Sequence, residues 1–224
     1  MAPGWRVYPD RESLLGAALA VIRKCEAANS DAFSMVLAGG QTPLALYRML
    51  AGESMQWDKW HVYFGDERCL PPDHADRNSR QAIEAFLGHV PIPTAQIHVP
   101  PAERGPVEGA SRYNETLSGV GTFDLVLLGL GEDGHTASLF PGHDIGSGQE
   151  APDVLAVFDA PKPPPLRISL SARRLSRART VLFLVTGEAK RDAAMKWRCG
   201  EPLPASQIRA LEDLIVLADA AACP

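Results

Sequence analysis

Apolar residues recur along the chain in two rhythms. Over 10–28 they fall at Leu14, Ala18, Leu19, Ile22 and Cys25, one face of a helix that Asp10 is placed to cap. FSMVLA (33–38) is instead a short unbroken run ending at Gly39-Gly40, the pattern of a strand buried on both sides. The two rhythms then alternate. Thr42-Pro43 opens LALYRML as a helix, with Thr42 at the N-cap and Pro43 at the first helical position. WHVYFG (60–65) predicts a strand, and 78–87 and 107–118 predict helices. LVLLGL (125–130) predicts a strand followed by a short helix from about Thr136. RISLS (167–171) and TVLFLVTG (180–187) read as strands, EAKRDAAMKW (188–197) as a helix and LIVLA (214–218) as a last strand. Such alternation predicts an α/β fold, a Rossmann-like, mostly parallel sheet with helices on both faces. With 224 residues and no internal repeat, the chain reads as a single domain over 1–224. The one biased patch, APKPPPL (160–166), reads as a stiff loop within it rather than a linker.

Composition narrows the function classes. Net charge is −5 and the pI about 5.7, so the chain lacks the overall basic balance of a nucleic-acid binder. No apolar run approaches the roughly 20 residues of a membrane span. MAPGWRVYPD lacks the basic-then-apolar pattern of a secretory signal, so a cytoplasmic protein is expected. Cys25, Cys69, Cys199 and Cys223 share no C-x-x-C or zinc-like spacing and read as reduced filler, with Cys69, after a charged triplet, the one candidate for reactivity. His74 lies between Asp73 and Asp76, but that spacing fits no ligand pattern, and no metal is expected. No serine or cysteine sits in a nucleophile elbow. Oligomeric state is open, and a monomer is an admissible reading.

The unusual chemistry gathers in four loops, each after a predicted strand and therefore at the carboxyl edge of a parallel sheet, where such sheets bind ligands. In GGQTP, Gly39 and Gly40 let the backbone approach a ligand, while Gln41 and Thr42 bring the free N–H groups of a helix start, a cradle for phosphate. Lys190 stands in the first turn of a helix, where the dipole disfavours a cation unless an anion is bound. Arg167 follows the proline loop at a strand start. GDER places Asp66, Glu67 and Arg68 together: a carboxylate for sugar hydroxyls, and a guanidinium for a phosphate or developing oxyanion. The fourth loop, GLGEDGH (129–135), contains G-x-G-x-x-G, but Glu132 and Asp133 occupy its middle positions and would repel a diphosphate. The glycines read instead as a tight turn presenting Asp133 and His135. A histidine supported by a nearby carboxylate suits a general base. No cofactor is expected. A sugar-phosphate sensor without turnover, and a nicotinamide-binding protein resting on the glycine spacing alone, are the alternatives from other classes.

With these residues in view, the chain resembles the family of 6-phosphogluconolactonases and related glucosamine-6-phosphate isomerases and deaminases. The likeness rests, in order, on LAGGQTPLALY, FGDERCLPPDHADRNS, FDLVLLGLGEDGHTASLFPG, PKPPPLRISL and TGEAKRDA, and covers nearly the whole chain. It implies hydrolysis of the ring ester of a sugar-phosphate lactone, 6-phosphoglucono-1,5-lactone, in the pentose phosphate pathway; such a lactone is already an activated ester, so no metal or cofactor is expected. By motif match His135 takes the general-base position with Asp133 beside it, Arg68 is the active-site arginine, and Arg167 and Lys190 meet the sugar phosphate. The related deaminases carry a carboxylate five residues after the histidine; here that position is Phe140. Two departures stand out. Ala38 replaces a frequent serine, and Arg77-Asn78 replaces the usual Ser-Asn, leaving the role of that segment open.

Overall fold

Leu125, Val126, Leu127 and Leu128 are all buried, yet they belong to two different cores, and this is why their run shows no alternation. The computed structural model describes residues 3–29 and 31–223. Its first half runs β1 (Gly4–Tyr8), α1 (Arg11–Ala27), β2 (Phe33–Leu37), α2 (Gln41–Leu50), β3 (Trp60–Phe64), β4 (Asp66–Arg68) and α3 (Asn78–Ala82), which widens into a π-helical turn over Ile83–Leu87. The second half runs α4 (Pro106–Leu117), β5 (Phe123–Gly129), β6 (Val154–Val157), β7 (Arg167–Leu170), α5 (Ala172–Leu175), β8 (Ala178–Val185), α6 (Arg191–Arg198), α7 (Pro204–Gln207) and β9 (Asp213–Asp219). Six strands pair in parallel in the order β1-β9-β8-β5-β2-β3. On one face Leu125, Leu127, Leu182 and Leu184 pack with Leu14 and Ile22 of α1 and Leu46 and Tyr47 of α2. On the other, Val126, Leu128, Val181 and Phe183 pack with Tyr113 and Leu117 of α4 and Ala194 and Trp197 of α6. The predicted Rossmann-like α/β architecture, with both sheet faces covered, is the observed one.

Local details differ from the sequence expectation where side chains meet across the fold. Asp10 does cap α1, accepting from Ser13 N at 2.8 Å. Thr42 does not cap α2. The helix starts two residues earlier because Gly40, at φ 106°, supplies the turn, and the Thr42 hydroxyl hydrogen-bonds Thr186 Oγ1 at 2.6 Å instead. No helix forms from Thr136. Its hydroxyl donates to Gly129 O at 2.9 Å, it pairs with Leu139 as a bridge, Ala137 is left-handed at φ 48°, and Pro141 has no N–H to continue a helix. The helix predicted at 188–197 begins as a 3₁₀ turn, Glu188–Lys190, before α6.

The strand predicted at 167–171 exists, but it does not join the parallel sheet. β7 pairs antiparallel with β4 and β6 in a second, three-stranded sheet. Its register sets Arg167 opposite Arg68 and Ser169 opposite Asp66. β1, an edge strand with no buried residue, and β4, three charged residues, have no apolar run to read, and β6 buries only one of its four residues.

Glu67 fixes this second sheet to α3. Its side chain is fully buried, and its carboxylate accepts from the main-chain N–H groups of Arg68, Asn78 and Ser79, each at 2.8 Å. Arg77, 2% exposed, pairs with it at 3.1 Å and donates to the carbonyls of Leu70 and Pro100. The Arg77 departure from the family pattern is therefore an internal clamp. Removing one partner leaves a buried charge uncompensated, so Glu67→Ala should cost about 3–5 kcal/mol, read as a lower urea midpoint at unchanged slope.

Candidate active site

The neighbouring strands β2 and β5 send the chain in opposite directions, β2 toward β3 at one sheet edge and β5 toward β8 on the other side. Diverging loops leave a gap at a switch point of this kind. Here the gap is a crevice of about 550 Å³, lined by Gly39, Gly40, Gln41, Thr42, Asp66, Arg68, His135, Arg167 and Lys190. Of the site residues picked out from the sequence, Asp133 and Glu67 are not part of the lining; Asp133 acts on His135.

The cradle depends on glycine at two points. A Cβ on Gly39 would fall 2.1 Å from Asn78 Oδ1, so only glycine lets α3 approach this turn. Gly40 holds the positive φ that starts α2. The N–H groups of Gln41 and Thr42 then lie in the first helical turn, where the helix supplies no acceptor. Arg11, the first residue of α1, donates to Gln41 O at 2.6 Å and also lines the crevice.

In the 129–135 turn, Asp133 Oδ1 accepts from His135 twice, from ring Nδ1 at 2.5 Å and from the main-chain N–H at 3.1 Å. Burial raises the Asp133 carboxyl, but these hydrogen bonds outweigh it and hold the group below its ordinary value. The carboxylate is therefore ionised at neutral pH and can only accept, which places the hydrogen on Nδ1 and leaves Nε2 as the basic nitrogen of the neutral ring. Phe140, buried, packs on the imidazole with ring centroids 4.9 Å apart. The glycine spacing serves this turn. Gly131 N donates to His135 O at 2.7 Å and Gly134 N to Gly131 O at 3.0 Å, so amides a diphosphate would need are already engaged.

The three residues of DER do three different things. Asp66 is buried, its oxygens accepting from Asn78 Nδ2 at 3.0 Å and Ser138 Oγ at 2.6 Å. Glu67 is withdrawn into the clamp with Arg77. Arg68 reaches the crevice; its Nη1 donates to Asp76 O, and its buried Nε has no partner among the described residues. Arg167 is also buried, and its guanidinium donates to the carbonyls of Lys162, Pro163 and Pro164 and, at 3.4 Å, to Ser138 Oγ. It thus holds the proline loop that carries Lys162 into the crevice. Burial lowers the Lys190 ammonium from its ordinary value, with Glu132, 3.8 Å away, opposing that shift.

Arg11, Asn78, Ser138, Lys162 and Thr186 were not legible as site residues. Arg11 meets Gln41 across 30 positions and Thr186 meets Thr42 across 144, separations no local pattern reports. Burial pushes the Cys69 thiol up to about 11, which removes it as a nucleophile. His74 is exposed and accepts from Asp76 N within its own loop. Among the described residues no three His, Cys, Asp or Glu side chains converge as a metal site, and no helix is long and apolar enough to cross a membrane.

Residues 9–216 match the family of glucosamine-6-phosphate isomerases/6-phosphogluconolactonase. A 6-phosphogluconolactonase of Mycobacterium tuberculosis is 38% identical over 211 residues, 86% of this chain and 85% of that protein. The chain belongs to this family. The crystal structure of a 6-phosphogluconolactonase from Thermotoga maritima aligns with a TM-score of 0.89 at 28% identity, covering 97% of this chain and all of that one. A monomeric glucosamine-6-phosphate deaminase also aligns, at TM-score 0.84 and 22% identity over 97% of this chain and 98% of its own. The fold is thus shared by proteins named for either activity and does not by itself separate them.

The turn makes a sharp demand on Gly131, where a Cβ would fall 2.0 Å from His135 Nδ1. Gly131→Ala should push the imidazole off Asp133. The hydrogen-bonded Nδ1–H resonance in the proton NMR spectrum should then move or vanish, whereas an unchanged resonance would show that the ring does not need the space.

Proposed function

We propose that the protein hydrolyses the ring ester of 6-phosphoglucono-1,5-lactone, with His135 as general base. The observation that carries this reading is the His135–Asp133 pair opening on the same crevice as the Gly40–Thr42 cradle and the Lys162 and Lys190 ammonium groups. It is supported by membership of the family and by relatives named 6-phosphogluconolactonase.

The phosphate binds at the α2 N-terminus and the two lysines, which sets the far end of the sugar, the lactone carbonyl, toward His135. Arg167 serves this subsite chiefly by holding the loop of Lys162. Asp66, fixed by Asn78 and Ser138, accepts from a ring hydroxyl. Water gives a proton to His135 Nε2 as its oxygen attacks the carbonyl carbon. The imidazolium is supported by Asp133, which keeps its charge throughout. Negative charge on the tetrahedral oxygen is met by Arg68. Collapse breaks the bond to the ring oxygen, which takes the proton back from the imidazolium, leaving an acyclic acid and a neutral histidine. No step calls on a metal or a cofactor, because the lactone is already an activated ester and phosphate binding supplies the orientation.

The direct test offers fresh 6-phosphogluconolactone to the pure protein and follows acid release against the uncatalysed background. His135→Ala should lower turnover about 10²–10⁴-fold while phosphate-ligand affinity stays near wild type. Near-normal turnover after background correction would move the base elsewhere. Glucosamine 6-phosphate should yield no ammonia, because buried Phe140 stands where the deaminases carry a carboxylate. Ammonia release at an enzymatic rate would assign the chain to the other branch.

A further inference from the structure

Glu132 occupies a position that suits a ligand anion. Its carboxylate lies between two ammonium groups, 3.6 Å from Lys162 Nζ and 3.8 Å from Lys190 Nζ. Both lysines line the crevice. Lys162 is set there by the Arg167 hydrogen bond to its carbonyl, and the Lys190 side chain is only 26% exposed. Glu132 itself is 54% exposed, and both contacts are longer than a hydrogen bond, so they hold it weakly. A phosphate dianion would draw shorter, charge-assisted bonds from the same two groups. It could not share them with Glu132, because like charges that close repel. The hydrogen bond from Gly131 N to His135 O pins the turn, so Glu132 can leave by rotating its side chain into water without disturbing Asp133 or His135.

We propose that Glu132 is an internal competitor for the phosphate subsite, screening Lys162 and Lys190 from weak anions and returning as product departs. This rests on the reading that these lysines receive the substrate phosphate. Hydrolysis adds a carboxylate to a molecule that already carries the phosphate, so the returning Glu132 opposes a ligand more negative than the one that entered. The residue thus trades affinity for release and raises the threshold for binding any single anion.

Calorimetric titration of inorganic phosphate and of 6-phosphogluconate into wild type and Glu132→Gln tests this. In Glu132→Gln both ligands should bind about three- to tenfold more tightly. The gain should shrink as salt is raised and vanish when Lys162→Ala is added. Thermal melting should be unchanged, since a half-exposed side chain is altered. Equal or weaker binding in Glu132→Gln overturns the proposal, as does a gain that survives Lys162→Ala. Lactone turnover separates this from the assigned reaction. Tighter phosphate binding without turnover in wild type would leave Glu132 a competitor and remove the lactonase reading. Turnover with unchanged affinities would remove only the role of Glu132.

Discussion

Parallel pairing is the constraint from which the rest of the molecule follows. Every strand of the six-stranded sheet must return to the same starting edge, so every loop leaving a strand emerges at the other. GGQTP, the Asp133–His135 turn and Thr186 with Lys190 are far apart in sequence and share one crevice for this reason alone. The divergence between β2 and β5 opens the gap, and the burial of both sheet faces makes its floor rigid.

The second, antiparallel sheet solves a different problem. It takes the chain after Gly65 away from the parallel sheet and returns Arg68 and Arg167 side by side at the crevice wall. Two like charges in adjacent register need counter-charges and acceptors. Asp66 acts on Arg167 as a counter-charge, Arg68 donates to a carbonyl and Arg167 to three. Burial lowers the Arg167 guanidinium from its ordinary value, with Asp66 opposing that shift. Beneath this wall the Glu67–Arg77 pair anchors the segment. Its desolvation cost is offset by three main-chain N–H donors to the carboxylate and two carbonyl acceptors for the arginine, without which a buried pair would stabilise little.

The sequence carried a large part of this. Unbroken apolar runs at 33–38 and 125–130 signalled strands covered on both sides, and the alternation with amphipathic helices signalled the α/β layers. The glycines of G-x-G-x-x-G were read as a tight turn presenting Asp133 and His135, and the hydrogen bonds from Gly131 N to His135 O and Gly134 N to Gly131 O make that turn. The expectations that failed share a cause. Thr42 was read as a cap from its neighbours in sequence, but its hydroxyl is taken by Thr186. A helix was read from Thr136, but its hydroxyl is taken by Gly129 and Pro141 closes the option. Glu67 and Arg68 were read together as site residues of one motif, yet Glu67 is fully buried in a clamp and only Arg68 lines the cavity.

What the sequence determined by itself was the buried strands of the parallel sheet and the main helices that cover it, the edge at which the chemistry gathers, and the family. These follow from local rules: side-chain periodicity, backbone limits at glycine and proline, and the common direction of parallel strands. What only the tertiary structure decided was the division of labour among the polar residues. Arg167 became the anchor of the proline loop, Arg77 the partner of a buried carboxylate, and Glu132 the occupant of a cationic pair. Each outcome depends on which groups are brought within about 3–4 Å, where hydrogen bonds and unscreened charge begin to matter, and that proximity is set by long-range packing that no stretch of sequence encodes alone.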